Sequence, residues 1–119
     1  NVLNGKTQII KLRKTSVQIT GLPQTVETIT FEQLMQEKDL FEIIDVRTSK
    51  EHEEFNIGGI NIAVDELQNH SDYISDCSKS IVMYCLSGKR SAEAVRKIKS
   101  IFPEKNVYSL KGGIQRTEL

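Results

Sequence analysis

The stretch Ile81-Val-Met-Tyr-Cys-Leu-Ser-Gly-Lys-Arg-Ser91 decides the fold of this chain. Its first four residues are apolar and rich in β-formers, which predicts a buried strand ending at Tyr84. From Arg90 onward the apolar residues recur at helical spacing, which predicts a helix over Ser91–Phe102. Cys85 therefore stands at the carboxyl end of a strand, where open α/β sheets collect their ligand sites.

The loop after Cys85 has the composition of an anion site. Gly88 permits a backbone conformation in which successive amides turn inward. The helix N-terminus adds the positive end of its dipole, Lys89 and Arg90 add two positive charges, and Ser91 is a helix N-cap or hydroxyl donor. Because a thiolate is an anion, the pattern predicts a nucleophilic cysteine rather than a small buried hydrophobe.

Four segments of the chain resemble the rhodanese (sulfurtransferase) family, in the family's order. Cys85-Leu-Ser-Gly-Lys-Arg-Ser91 is similar to its Cys-x-x-Gly-x-Arg-Ser loop without a departure. Ile43-Ile-Asp-Val-Arg-Thr-Ser-Lys-Glu51 resembles its strand followed by Asp-Val-Arg-x-x-x-Glu. Asn56–Ile62 resembles its His-Ile-Pro-Gly-Ala-Ile-Asn-Ile segment, and Leu110–Ile114 its closing Gly-Gly turn. The resemblance covers residues from about Thr28 to Ile114.

The departures fall outside the reactive loop. Asn56 stands where the family usually has His, Gly58 where it has Pro, and Phe55 where it commonly has Gly. The Trp that often follows the final Gly-Gly pair is missing. None of these positions performs the sulfur chemistry, so the departures concern packing.

The resemblance implies both a fold and an activity. The fold is a three-layer α/β domain with a central parallel sheet flanked by helices. The activity is that of a thiosulfate sulfurtransferase-like enzyme, which forms a persulfide on Cys85 and passes the sulfur to an acceptor. It needs no cofactor, and the donor is a small molecule such as thiosulfate or a cysteine desulfurase. The residues expected to surround the persulfide and bind the donor are Leu86, Ser87, Gly88, Lys89, Arg90 and Ser91.

Charged residues after the strand Phe41–Val46 are predicted to support this loop. We expect Arg47 to pair with Glu51, and Asp45 to accept hydrogen bonds from loop amides, since buried charges need partners. The alternative is that Asp45 acts as a general base.

Neither the histidines nor the second cysteine suggests another site. His52 and His70 lack ligand-like spacing, so no metal site is expected. Cys77 is predicted to be a semi-exposed loop residue. The alternative is that Cys77 resolves the persulfide by forming a disulfide with Cys85.

The composition argues against proteins that bind nucleic acid or membranes through charge and against proteins that span a membrane. The chain has 119 residues, with 16 acidic and 16 basic side chains, which gives no electrostatic case for nucleic acid or an anionic membrane. No apolar run approaches the ~20 residues that span a bilayer. Without a signal segment, and with a cysteine that must stay reduced, the expected location is cytoplasmic.

Predicted strands and helices alternate along the chain, which predicts a parallel sheet covered by helices on both faces. The predicted strands are Glu27–Ile29, Phe41–Val46, Ile60–Ala63, Ile81–Tyr84 and Val107–Leu110. The predicted helices run from Phe31 to about Lys38, with Thr30 as N-cap, over Ser49–Phe55 with Ser49 as N-cap, over Asp65–Asn69 as a single turn, and over Ser91–Phe102.

The first residues do not follow that alternation. Residues 1–22 are predicted to be an extended segment and linker, and residues 23–119 the rhodanese-like domain. The segment Leu3–Arg13 resembles the closing strands of MoeB/ThiF-type adenylating enzymes, some of which carry a C-terminal rhodanese domain. That resemblance implies that the acceptor is a ubiquitin-like sulfur-carrier protein of molybdopterin or thiamine-type biosynthesis. The alternative is an ordinary leading hairpin or tail.

Two other functions remain as alternatives. The related dual-specificity phosphatases need a Cys-x5-Arg loop, whereas Cys85 and Arg90 form Cys-x4-Arg, which disfavours phosphatase activity. A non-catalytic interaction module is the stronger alternative, although inactive rhodanese-like domains commonly lose the cysteine that this chain keeps.

Overall fold

In the computed structural model, which describes residues 25–115, helices cover both faces of a five-stranded sheet. The strands are β1 (Thr28–Ile29), β2 (Phe41–Asp45), β3 (Ile60–Asn61), β4 (Ser80–Tyr84) and β5 (Val107–Leu110). The α-helices are α1 (Phe31–Gln36), α2 (Ser49–Glu54), α3 (Ser71–Asp76) and α4 (Lys89–Ile101), and 3₁₀ helices span Lys38–Leu40 and Val64–His70. All pairings are parallel, in the order β1-β5-β4-β2-β3. The predicted α/β fold, with a central parallel sheet flanked by helices, is confirmed.

Strand β4 is the centre of the sheet, with β2 on one side and β5 on the other. Alternate side chains of a strand point to opposite faces. Ile81 and Met83 accordingly pack on the face covered by α3 and α4, and Val82 and Tyr84 on the face that holds Leu34 of α1. All of these side chains are fully buried. Cys85, the residue that follows β4, is therefore attached to a strand whose side chains are packed and excluded from water.

Capping boxes begin the first two helices. Thr30 caps α1, as predicted: its hydroxyl accepts a hydrogen bond from the Gln33 amide, and the Gln33 Oε1 accepts one from the Thr30 amide. The predicted N-cap of α2 is wrong, because Thr48 holds that position and Ser49 is the first helical residue. A capping box needs an acceptor side chain three residues after the cap, and Glu51 supplies it for Thr48.

Helix α4 begins earlier than predicted. It starts at Lys89, and its N-cap is Gly88 with φ of 100°. Of the two roles predicted for Ser91, the N-cap is therefore wrong, whereas its hydroxyl does act as a donor, to the Gly88 carbonyl. The left-handed conformation of Gly88 turns the chain within the four residues, 85–88, that join β4 to α4. Helix α3 was not predicted, because its largely polar sequence lacks a clear apolar period.

None of the helices between residues 25 and 115 is both long and apolar enough to cross a membrane. The predicted extended segment, residues 1–22, and its boundary with the domain at residue 23 lie outside the described residues.

Gly59→Ala tests the close approach of Gly59 to the backbone of β2. A Cβ on Gly59 would lie 2.2 Å from the Ile43 carbonyl oxygen, whereas a Cβ on Gly58 meets nothing nearer than Lys38 Nζ at 3.8 Å. Both glycines have positive φ. We expect Gly58→Ala to cost about 1 kcal/mol of unfolding free energy and Gly59→Ala at least ~3 kcal/mol, since a backbone clash adds to the same strain. Urea denaturation measures both, and equal losses would contradict the close approach.

Candidate active site

Cys85 follows β4 directly, and its side chain is fully buried. Its Sγ accepts hydrogen bonds from the Gly88 N–H at 3.0 Å and the Ser91 N–H at 3.3 Å. The Ser91 hydroxyl lies 3.6 Å from the same sulfur. Converging backbone N–H groups bind an anion more strongly than a neutral group, so the loop is arranged to favour negative charge on this sulfur.

The loop keeps this shape because its carbonyl groups are held elsewhere. The Ile114 N–H donates to the Cys85 carbonyl at 3.1 Å, and the Gln115 N–H to the Leu86 carbonyl at 2.9 Å. Gly113 lies so close to the loop that a Cβ there would stand 2.2 Å from the Leu86 oxygen. The Gly-Gly turn after β5 therefore binds the outer side of the loop, and the amides are left to face the sulfur.

The outermost residues of the loop face solvent. The Leu86 side chain is 45 % exposed, and Ser87 and Lys89 are exposed as well. The Ser87 hydroxyl accepts a long hydrogen bond, 3.4 Å, from the Lys89 amide. In the part of the chain that the structure describes, the Lys89 ammonium makes no hydrogen bond or ion pair. It is therefore free to meet a solute.

Arg90 joins the loop to helix α2. Its guanidinium donates to both carboxylate oxygens of Glu51, at 2.9 and 3.0 Å. The hydrogen bond from Arg90 is the main reason that the pKa of Glu51 falls from 4.5 to about 2, and the same bond raises the pKa of Arg90. The prediction that Glu51 pairs with Arg47 is therefore wrong, because Glu51 is engaged by Arg90.

Asp45 is fully buried at the end of β2 and takes Arg47 as its partner. The Arg47 guanidinium donates to both Asp45 oxygens at 2.9 and 2.8 Å, and the Arg47 amide also donates to Oδ1. The His52 Nδ1 lies 2.8 Å from Oδ2. Burial alone raises the pKa of Asp45, but these hydrogen bonds outweigh it and hold the pKa below its usual value. The prediction that Asp45 accepts amides of the cysteine loop is wrong.

Tyr84 fixes the segment in which the chain departs from the family pattern. Its hydroxyl accepts from the Ile57 amide at 3.2 Å and donates to the Gly58 carbonyl at 3.0 Å. Burial raises the pKa of this phenol to about 12, so it stays a donor. Arg47 lies over the Tyr84 ring, 5.7 Å from its centroid, and donates to the Phe55 carbonyl.

Sequence reasoning missed two side chains near the site. His52 approaches Asp45 because α2 folds back on the end of β2, which no local pattern shows. Ser109 lies in β5, 2 % exposed, with its hydroxyl 2.6 Å from that of Ser91. The sequence does indicate Ser109, because it is a polar residue in the second half of a buried parallel strand, near the carboxyl end where sites in such sheets lie.

The second cysteine lies at the other end of the sheet. Cys77 precedes β4 and is partly exposed, as predicted, whereas Cys85 follows β4. Five strand residues span roughly 16 Å, too far for a disulfide between the two cysteines of one chain. The alternative that Cys77 resolves a persulfide on Cys85 within the chain is therefore wrong. Between residues 25 and 115 no cluster of three or more His, Cys, Asp or Glu side chains is placed to hold a metal ion.

Comparisons with known proteins show the family and the fold of this chain. A family model of the rhodanese-like domain matches residues 28–118. The solved structure of a rhodanese-related protein from Thermoplasma volcanium is 28 % identical, with a TM-score of 0.66, over 75 % of this chain and 87 % of that chain. A NAD-dependent persulfide reductase from A. fulgidus is 36 % identical, with a TM-score of 0.60. The reduced CoADR-RHD of Bacillus anthracis is 26 % identical, with a TM-score of 0.66.

The last two matches cover 76 % of this chain but only 16 % of each of those chains, so this chain corresponds to a small part of them. A comparison with curated proteins gave no match.

Glu51→Gln tests the ion pair with Arg90 as the pH falls. Because the pKa of Glu51 is lowered from 4.5 to about 2, the pair stabilises the folded chain fully above the ordinary value and loses this contribution as the pH falls through the lowered one. We expect the variant to be less stable by about 0.5 kcal/mol at neutral pH, the size of a half-exposed pair. In urea denaturation the difference should shrink in acid.

The control for this prediction is Glu93→Gln, which removes an exposed carboxylate of α4. A difference between wild type and Glu51→Gln that stays constant from neutral to acid pH would contradict the ion pair.

Proposed function

The chain belongs to the rhodanese-like domain family, and we propose that it is a sulfurtransferase that carries sulfane sulfur as a persulfide on Cys85. The observation that carries this proposal is the pair of N–H groups, from Gly88 and Ser91, that point at the sulfur at 3.0 and 3.3 Å. A persulfide bears its charge at a sulfur, and its formation needs a charged nucleophile. The same donors serve both states.

The chemistry proceeds in two displacements. The Cys85 thiol gives its proton to solvent, and the thiolate attacks the outer sulfur of thiosulfate. The new sulfur–sulfur bond forms as the old one breaks, and sulfite leaves with the bonding electron pair. An acceptor nucleophile then attacks the terminal sulfur of the persulfide, and Cys85 leaves as a thiolate. No net oxidation of the protein occurs over the cycle.

The positive charges of the loop suit an anionic donor. Each terminal nitrogen of Arg90 donates one N–H to Glu51. A guanidinium has five N–H groups, so others remain to donate to a bound anion. Lys89 is exposed beside it and carries an ammonium without an ion-pair partner among residues 25–115. We assign Leu86 and Ser87, which are also exposed, to contact with the donor or the acceptor.

The physiological donor and acceptor are proposed on separate grounds. A cysteine desulfurase is the alternative to thiosulfate, because its persulfide presents the same outer sulfur. The acceptor we propose is a ubiquitin-like sulfur carrier, on the resemblance of Leu3–Arg13 to the end of an adenylating domain. The similar persulfide reductase from A. fulgidus favours a second acceptor chemistry, in which a partner reduces the persulfide. The location proposed for this chemistry is the cytoplasm.

Cys85→Ser is the direct test of the proposal. Purified wild type incubated with thiosulfate should gain the mass of one sulfur atom, removed by reductant, and should release thiocyanate with cyanide. Cys85→Ser should show neither, since the hydroxyl is too weak a nucleophile. Cys77→Ser is the matched control and should behave as wild type. Equal sulfur gain in the Cys85→Ser variant would remove Cys85 from the mechanism. No gain by wild type from thiosulfate or a desulfurase would favour a non-catalytic binding module.

Arg90→Ala separates donor binding from the chemical step. We expect the KM for thiosulfate to rise roughly tenfold, because a charge-assisted hydrogen bond is lost. Arg96→Ala removes an exposed charge six residues further along α4 and should leave the KM unchanged. Steady-state kinetics measure both, and identical KM values for wild type and Arg90→Ala would contradict the proposed role.

A further inference from the structure

Hydroxyl groups connect strand β5 to the sulfur of Cys85. The Ser109 Oγ lies 2.6 Å from the Ser91 Oγ, which in turn lies 3.6 Å from the Cys85 Sγ. Only 2 % of Ser109 and none of Ser91 is exposed, so water does not compete for these hydrogen bonds. Ser109 is separated from Ser91 by 18 residues and is not part of the cysteine loop.

The direction of the bond between the serines follows from counting protons. Each hydroxyl has one proton to donate. Within residues 25–115 the Ser109 hydroxyl has no partner other than Ser91, whereas the Ser91 Oγ also lies 3.2 Å from the Gly88 carbonyl, which only accepts. Since a buried O–H without an acceptor is costly, Ser109 donates to Ser91. Ser91 then keeps its own proton for another acceptor.

We infer that Ser109 is a positioning residue, which orients the Ser91 hydroxyl as a donor to the charged form of the Cys85 sulfur. In the thiol form, Cys85 and Ser109 both donate to Ser91, and Ser91 donates to the Gly88 carbonyl. When the thiol loses its proton to solvent, rotation of the Ser91 hydroxyl turns its proton from the Gly88 carbonyl to the sulfur. No covalent bond breaks in that rotation.

The hydrogen bond from Ser109 to Ser91 is present in both the thiol and the thiolate form of Cys85. In the thiolate form it strengthens the hydrogen bond that the Ser91 hydroxyl donates to the sulfur. A hydroxyl that accepts a hydrogen bond becomes a better donor, because the two bonds polarise each other. A bond to a charged sulfur gains more from this polarisation than a bond to a neutral carbonyl. Ser109 therefore favours the thiolate over the thiol. The charged groups on the outer side of the loop are Lys89 and Arg90, which is paired with Glu51. Among residues 25–115 no hydrogen bond or ion pair joins any of them to the Ser109 hydroxyl, whose partner is Ser91.

The experiment titrates the sulfur itself. In the full chain carrying Cys77→Ser, Cys85 is the single thiol, and the ultraviolet absorbance of its thiolate is recorded against pH. We expect Ser109→Ala to move the midpoint upward by roughly half a pH unit, the effect of one net hydrogen bond. Ser109→Thr retains the hydroxyl and should restore the midpoint. Ser80→Ala, at the opposite end of the neighbouring strand β4, should leave it unchanged.

The outcomes discriminate between positioning and packing. If Ser109→Ala leaves the midpoint of the thiolate titration at the wild-type value and lowers only the midpoint of urea unfolding, the inference is overturned, because Ser109 would then only fill space. Equal shifts in Ser109→Ala and Ser109→Thr would overturn it as well. The inference rests on the proposed role of Cys85 as the reacting sulfur, but the titration uses no sulfur donor. If wild type accepts no sulfur while Ser109→Ala still shifts the titration, the sulfurtransferase proposal fails and the positioning role stands.

Discussion

The site depends on one constraint, which is that the carbonyl groups of Cys85 and Leu86 are bound from outside by the amides of Ile114 and Gln115. A short loop cannot direct both its amides and its carbonyls inward. Once the closing turn holds the carbonyls, the amides are left to converge on the sulfur. Gly113 permits this contact, because any Cβ there would overlap the loop backbone.

Two ion pairs frame this loop at different depths. The inner pair, Asp45 with Arg47, is buried, and His52 Nδ1 also contacts the Asp45 carboxylate. This pair holds the turn after β2, and its hydrogen bonds do not reach the cysteine loop. The outer pair, Arg90 with Glu51, is partly exposed and links α4 to α2 across the site. A buried pair mainly prevents the cost of an unpaired charge, whereas an exposed pair contributes little energy and mainly sets geometry.

Local patterns predicted most of the fold, and they were less successful with contacts across it. The strand Val107–Leu110 and the Thr30 cap were correct, because apolar runs and capping residues act over a few positions. The expected pairing of Arg47 with Glu51 rested on the general need of buried charges for partners, which does not say which partner is chosen. Arg47 in fact precedes the cap of α2, and its side chain turns back to Asp45. The bond between Ser91 and Ser109 depends on the packing of α4 against β5 and is likewise nonlocal.

The order of the strands has a consequence for synthesis on the ribosome. Among the strands of residues 25–115, β1 comes first in the sequence and pairs only with β5, which comes last. A chain that emerges from its N-terminus cannot complete the sheet until residues near Leu110 are available, and parallel pairing between distant segments is slow. The loop at Cys85 is fully held only when Ile114 and Gln115 have also emerged. The nascent chain thus carries an ordinary thiol, and the environment that distinguishes this cysteine arises at the final stage of folding.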